Sequence, residues 1–165
     1  METDRQTLGQ NFLAAFRILV GWIFLWPFFD KLLGLGFKTP VGMGYIDGVS
    51  PSSFVSYVSG GIFADFYNSI GGNGVVDIIF LLALLLIGIS LILGIASKLG
   101  TVGCVSFLIV MYTICVPPED NPIIDFRIII CFGIIATYYL GGFERLSLYG
   151  RWKELSIVKK VPLLE

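Results

Sequence analysis

Residues 78–97, IIFLLALLLIGISLILGIAS, and residues 99–118, LGTVGCVSFLIVMYTICVPP, are two uncharged runs of twenty residues each, separated only by Lys98. A run of about 20 residues rising 1.5 Å each crosses a hydrocarbon core of roughly 30 Å, and few buried soluble helices need that length. The pair therefore predicts a membrane hairpin. Working outward, two more spans are expected at about 12–29 and 123–141, beside those at 77–97 and 99–116. The first carries Arg17 inside it, and Pro27 is expected to loosen its last turn. The sum is an all-α, polytopic four-helix membrane bundle in a single domain of 165 residues. Apolar residues make up 56% of the chain, charged residues 14%, and mean hydropathy is +0.87, which leaves too little polar surface for a soluble domain of this size. The first span starts too far in, and lacks the small-residue site, for a signal peptide that is later removed.

Orientation follows from Lys and Arg in the connections. With four spans, one side collects Arg5, Lys98, Arg145, Arg151, Lys153, Lys159 and Lys160, and the other only Lys31, Lys38 and Arg127. Positive charge favours the cytoplasm, so both termini, with the tail at 143–165, are expected inside a plasma membrane. The other side also carries seven of the twelve acids, so the net charge of −1 conceals a polarised molecule.

The outer connection at 31–75 is long. Residues 34–48 are glycine-rich and read as irregular. From Ser50, with Pro51 at a first helical position, Phe54, Tyr57, Val58, Ile62 and then Phe63, Phe66, Tyr67 and Ile70 recur at helical spacing, broken at Gly60 and Gly61. Short amphipathic helices lying against lipid, or covering the outer end of the bundle, are expected there. Loops this long are commonly functional.

Several segments carry a resemblance when taken in order. LVGWIFLWPFFDKLLGLGF at 19–37, GVSPSS at 48–53, ADFYNSIGGN at 64–73, LLLIGISLILGIASKLG at 84–100, PPEDNPIID at 117–125 and LYGRW at 148–152 together resemble the DoxX/DoxD family, and more narrowly the DoxD subunits of thiosulfate:quinone oxidoreductases. The resemblance implies a four-helix membrane subunit working with a DoxA-like partner, oxidising thiosulfate to tetrathionate while a membrane quinone is reduced. Relatives carry a histidine near the position of Arg127, whereas this chain has none, which excludes a histidine proton relay and histidine ligation of haem.

The residues can be asked whether they suit that chemistry. Two thiosulfate dianions about 4 Å apart repel by about 4 kcal/mol even in water, so cations must offset the charge. Lys31 and Arg127 stand at outer ends of helices that are neighbours in an up-down bundle, with Asp30 and Asp125 beside them. These four form the expected catalytic cluster, with acids able to take up protons. A purely structural reading stands beside it: Asn121 and Pro122 suit a helix start, Asp125 and Asp77 complement helix dipoles, and Lys31 reaches the headgroups.

Arg17 is costly in a span unless it is paired or hydrated. Two readings are open, an ion pair with Glu144 or contact with a quinone carbonyl or substrate anion. Trp22, Trp26 and Tyr112 either flank a quinone ring or pack. Cys115 lies near the outer surface, Cys131 about 12 Å deep and Cys104 about 18 Å deep, so Cys115 with Cys131 is an unsuitable disulfide pair and Cys104 with Cys131 a conceivable one. Cys115 is a candidate for a transient thiosulfate adduct, and the alternative is an inert packing thiol. No metal-ligand spacing, phosphate loop or nucleic-acid footprint is present. With no cofactor of its own legible, a partner subunit or oligomer is expected, and Gly88, Ser90, Gly94 and Ala96 offer a small-residue face for close helix contact. The alternative function is a non-catalytic subunit of a terminal quinol oxidase or another respiratory complex.

Overall fold

The computed structural model describes residues 2–55, 61–118, 121 and 123–164, all helix and connection without a strand among them. Four helices dominate: α1 Glu2–Leu33, then α3 Gly74–Leu93, α4 Ser97–Ile114 and α5 Phe126–Tyr139, with the short α2 Ala64–Ile70 in the long connection and α6 Tyr149–Lys153 and α7 Ser156–Lys160 in the tail. Single 3-10 turns occur at Tyr45–Asp47, Pro51–Phe54 and Pro162–Leu164.

Buried positions recur every three to four residues on each long helix: Ala14, Arg17, Val20 and Phe24 on α1; Leu84, Ile87 and Leu91 on α3; Cys104 and Leu108 on α4; Cys131 and Ile134 on α5. One face of each helix therefore points to a common core, and the packing runs as a closed cycle, α1 on α3, α3 on α4, α4 on α5 and α5 on α1. The opposite faces are apolar as well, with Leu86 61% and Phe132 72% exposed. Helices that are hydrophobic all round suit lipid as solvent. Three of them, α1, α3 and α4, are long and apolar enough to cross a membrane. The expected fourth span is shorter than the spacing predicts, because α5 has 14 residues, about 21 Å of helix.

The helix ends differ from the sequence reading for local reasons. The start of α5 falls at Asp125 and not at Asn121, whose Oδ1 instead accepts from the amides of Ile123 and Ile124, while the Asp125 carboxylate captures the Arg127 amide at 2.7 Å. Pro122 lies outside the described residues. Helix α1 runs through Pro27 to Leu33 and begins well before residue 12. The turn joining α3 to α4 is 94–96, with Gly94 and Ala96 both left-handed, so Lys98 belongs to the first turn of α4. Gly88, by contrast, does serve close contact: a Cβ there would meet the Leu25 backbone at 3.0 Å. Of the long connection, Pro51–Phe54 and α2 are helical as the periodicity predicts, whereas Tyr57, Val58 and Gly60 lie outside the described residues.

The last turn of α3 is completed by other segments. Its four final carbonyls have no helical partner of their own. Ser90 O accepts from the amides of Gly94 and Ile95, and Leu93 O from Leu148. Leu91 O and Ile92 O both accept from the Arg17 guanidinium. Gly94, at φ +67°, leaves room for that group, since a Cβ there would stand 2.9 Å from Arg17 Nη1.

Candidate functional site

At the loop end of the helices, the buried acids bind backbone. Asp30, 2% exposed near the end of α1, accepts from the amides of Phe37, Lys38 and Thr39 at 3.2, 3.0 and 2.9 Å, which folds the glycine-rich connection back over its own helix. Asp77, in the first turn of α3, accepts from Ser50 Oγ at 2.7 Å and the Ser52 amide at 2.8 Å. Ser52 Oγ in turn accepts from the Gly72 amide. Asn73 supplies the side-chain cap of α3, so Asp77 acts as a tether for the Ser50 segment as well as complementing the helix dipole. A carboxylate that accepts two or three bonds from fixed donors has much of its acceptor capacity taken up by the chain itself.

Lys31 turns away from water, its Nζ 4.7 Å from the Phe54 ring and 5.8 Å from the Phe80 ring. That is a cation–π seat joining the Pro51–Phe54 turn to α3. Arg127 pairs with Asp125 at 2.6 Å and lies over the neighbouring Phe126 ring. The expected four-residue cluster is thus distributed over three local arrangements: Asp30 in its amide nest, Lys31 between two rings, and Asp125 with Arg127 at the start of α5. Arg127 keeps partial exposure, with 22% of its side chain accessible, and is the member of this set best placed to meet an anion from solution.

Arg17 is wholly buried. It binds four carbonyls, those of Leu91 and Ile92 at the end of α3 and those of Arg145 and Leu146, the latter two at 3.1 Å each, and sits 5.3 Å from the Phe143 ring centroid. Glu144 is exposed and is not its partner. Carbonyls at a helix end carry partial negative charge and need donors, so they compensate the cation without a carboxylate. The four carbonyls make Arg17 a clasp between the end of α3 and residues 145–146, while its buried Nε has no acceptor within the chain.

The aromatic candidates also separate. Trp22 and Trp26 stack at 5.9 Å along α1, with Trp26 edge-on to Phe37 at 4.9 Å, while Tyr112 donates from its hydroxyl to Ile123 O at 2.9 Å across the α4–α5 connection. They do not converge on one ring-sized slot. All three cysteines are free; Cys104 and Cys131 share the main core, and Cys115 packs beside Ile114, Val55 and Tyr67.

Two features escaped the sequence reading. The first is a largely apolar groove of about 700 Å³ along α3 and α4, running from Ser52 and Tyr67 at the loop end, past Phe80, Ile87 and Gly103, to Trp152 at the other. The Trp152 indole donates to Leu164 O and holds the tail against that far end. The second is a cleft of about 520 Å³ between α4 and α5. The groove has a signal in the sequence, because small residues such as Ala83, Ala96 and Gly103 line it, but which of them face each other depends on helix rotation. No family model, curated protein or solved structure matches the chain.

Proposed function

We propose that the chain is the membrane subunit of a thiosulfate:quinone oxidoreductase, seated in the plasma membrane with both termini cytoplasmic. The overall reaction takes two thiosulfates, one quinone and two protons to one tetrathionate and one quinol, so two electrons cross from sulfur to the ring. The observation that carries the reading is the α3–α4 groove. Its volume lies in the range of small-molecule sites, and its apolar walls extend along two helices that are long enough to cross a membrane, which suits an isoprenoid tail. The ring would then lie at the loop end, near Tyr67, Ser52 and Phe80, on the same side as Arg127. Arg127 is the residue we assign to holding thiosulfate, and Lys31 enters as the cation that fixes Phe80 and Phe54 around the ring end of the groove. A DoxA-like chain would complete the site.

The test is thiosulfate-dependent quinone reduction by the purified complex. Arg127→Gln is expected to weaken thiosulfate binding about tenfold or more, the equivalent of one charge-assisted hydrogen bond, while Lys38→Gln changes it little. Gly103→Leu, whose Cβ would meet Ile87 at 3.3 Å in the wall of the groove, is expected to raise KM for quinone and leave that for thiosulfate unchanged. A stable Arg127→Gln complex with wild-type turnover and affinity would favour the second reading, a non-catalytic subunit of a quinol oxidase or other respiratory complex. That reading draws support from Asp30, whose carboxylate is occupied by the chain's own amides.

A further inference from the structure

The cleft between α4 and α5 carries its charge at one end and mainly apolar side chains along the rest. Lys98, Thr101, Val102 and Val105 of α4 follow at i, i+3, i+4 and i+7 on one face, and Ile135, Tyr138 and Tyr139 of α5 follow at i, i+3 and i+4 opposite. Lys98, Val102 and Tyr139 are exposed, Val105 and Ile135 are half-buried, and Ser106 follows beyond Val105. From Lys98 to Val105 the helix rises about 10 Å; Lys98 and Thr101 occupy the first half of that rise, and Ser106 adds one hydroxyl beyond it. The headgroup layer of one leaflet is roughly 5–7 Å thick, so the change from polar to apolar wall falls where an amphiphile changes from head to chain.

Thr101 supplies an independent pointer. It lines the cleft, is 8% exposed, and its hydroxyl has no hydrogen-bond partner. Helical threonines ordinarily satisfy themselves on a preceding carbonyl, as Thr137 does on Gly133 O and Thr113 on Val110 O, both at 2.8 Å. Thr101 departs from that habit one turn from the exposed Lys98, near the start of an 18-residue helix whose dipole adds positive potential. Among the described residues Lys98 forms no ion pair.

We propose that this cleft seats an anionic phospholipid, its phosphate between Lys98 and the Thr101 hydroxyl and one acyl chain along Val102, Val105 and Ile135. Charge complementarity selects an anionic over a zwitterionic head, and the apolar wall selects a lipid over a free anion. The site is separate from the α3–α4 groove and stands whether or not that groove takes quinone.

Delipidated protein in detergent, titrated with phosphatidylglycerol or phosphatidylcholine of identical chains and read by native mass spectrometry and thermal unfolding, tests this. Wild type is expected to retain phosphatidylglycerol at least fivefold over phosphatidylcholine. Lys98→Gln should bring that ratio close to one, whereas Lys159→Gln, an exposed cation away from the cleft, should leave it unchanged. Thr101→Val should lower phosphatidylglycerol retention at least threefold although the delipidated variant melts no lower than wild type, since it loses only an unpartnered hydroxyl. Wild-type selectivity in Lys98→Gln or wild-type retention in Thr101→Val would overturn the proposal. So would equal stabilisation by millimolar inorganic phosphate, which would make the cleft a free-anion site, or displacement of the lipid by a short-chain quinone.

Discussion

Arg17 illustrates how a charge can be fully visible in a sequence while its partner is not. Its guanidinium donates to carbonyls from two separate segments, a geometry that a planar fork of donors can serve and a compact ammonium cannot. Arg17→Met removes those donors and leaves buried carbonyls unsatisfied, which is expected to cost about 3 kcal/mol. Glu144→Gln, at an exposed position, is expected to stay within about 0.5 kcal/mol. Thermal unfolding of both variants in the same detergent checks the pair; equal losses would restore an Arg17–Glu144 ion pair. The same limit explains Asp30 and Asp77, which bind amides of 37–39 and 52. Every residue but proline offers a backbone amide and every residue a carbonyl, so no side-chain pattern announces which ones a buried charge will take. Asp125 and Arg127 were legible as neighbours because both members of that pair are side chains two positions apart.

At the scale of elements, length was legible and contact was not. The uncharged runs in α3 and α4 specify long helices because lipid offers backbone groups no alternative partner. How helices face one another is set by small residues whose effect depends on what stands opposite. Gly88 and Gly94 look equivalent in the sequence, yet Gly88 admits the α1 backbone at Leu25 and Gly94 closes the helix in a left-handed turn beside Arg17. Gly88→Ala is therefore expected to separate α1 from α3 and destabilise by about 1–3 kcal/mol. Gly74→Ala, where a Cβ meets nothing within 4 Å, is expected to be neutral or mildly stabilising. Denaturation of the two variants distinguishes them, and equal effects would mean that helix propensity and not the close approach to Leu25 governs position 88.

At the scale of the molecule, the positive charges gather at the end where α3 passes to α4 and where the tail folds, and the long connection caps the other. A cysteine introduced at position 38 is expected to react with an impermeant maleimide in intact cells, and one at position 160 only after permeabilisation; labelling at 160 from outside would reverse the orientation. The closed cycle of helices also has a consequence for biosynthesis, seated in the Arg17 clasp. In a chain made from its N-terminus, Arg17 exists before α3 and residues 145–146, so its charge is without these acceptors until they follow. Half of its acceptors arrive with Leu91 and Ile92 and the other half only with Arg145 and Leu146, after α5 has been made. The arginine therefore ties the first helix to the last part of the chain to be made: its carbonyl shell is complete only once residue 146 exists.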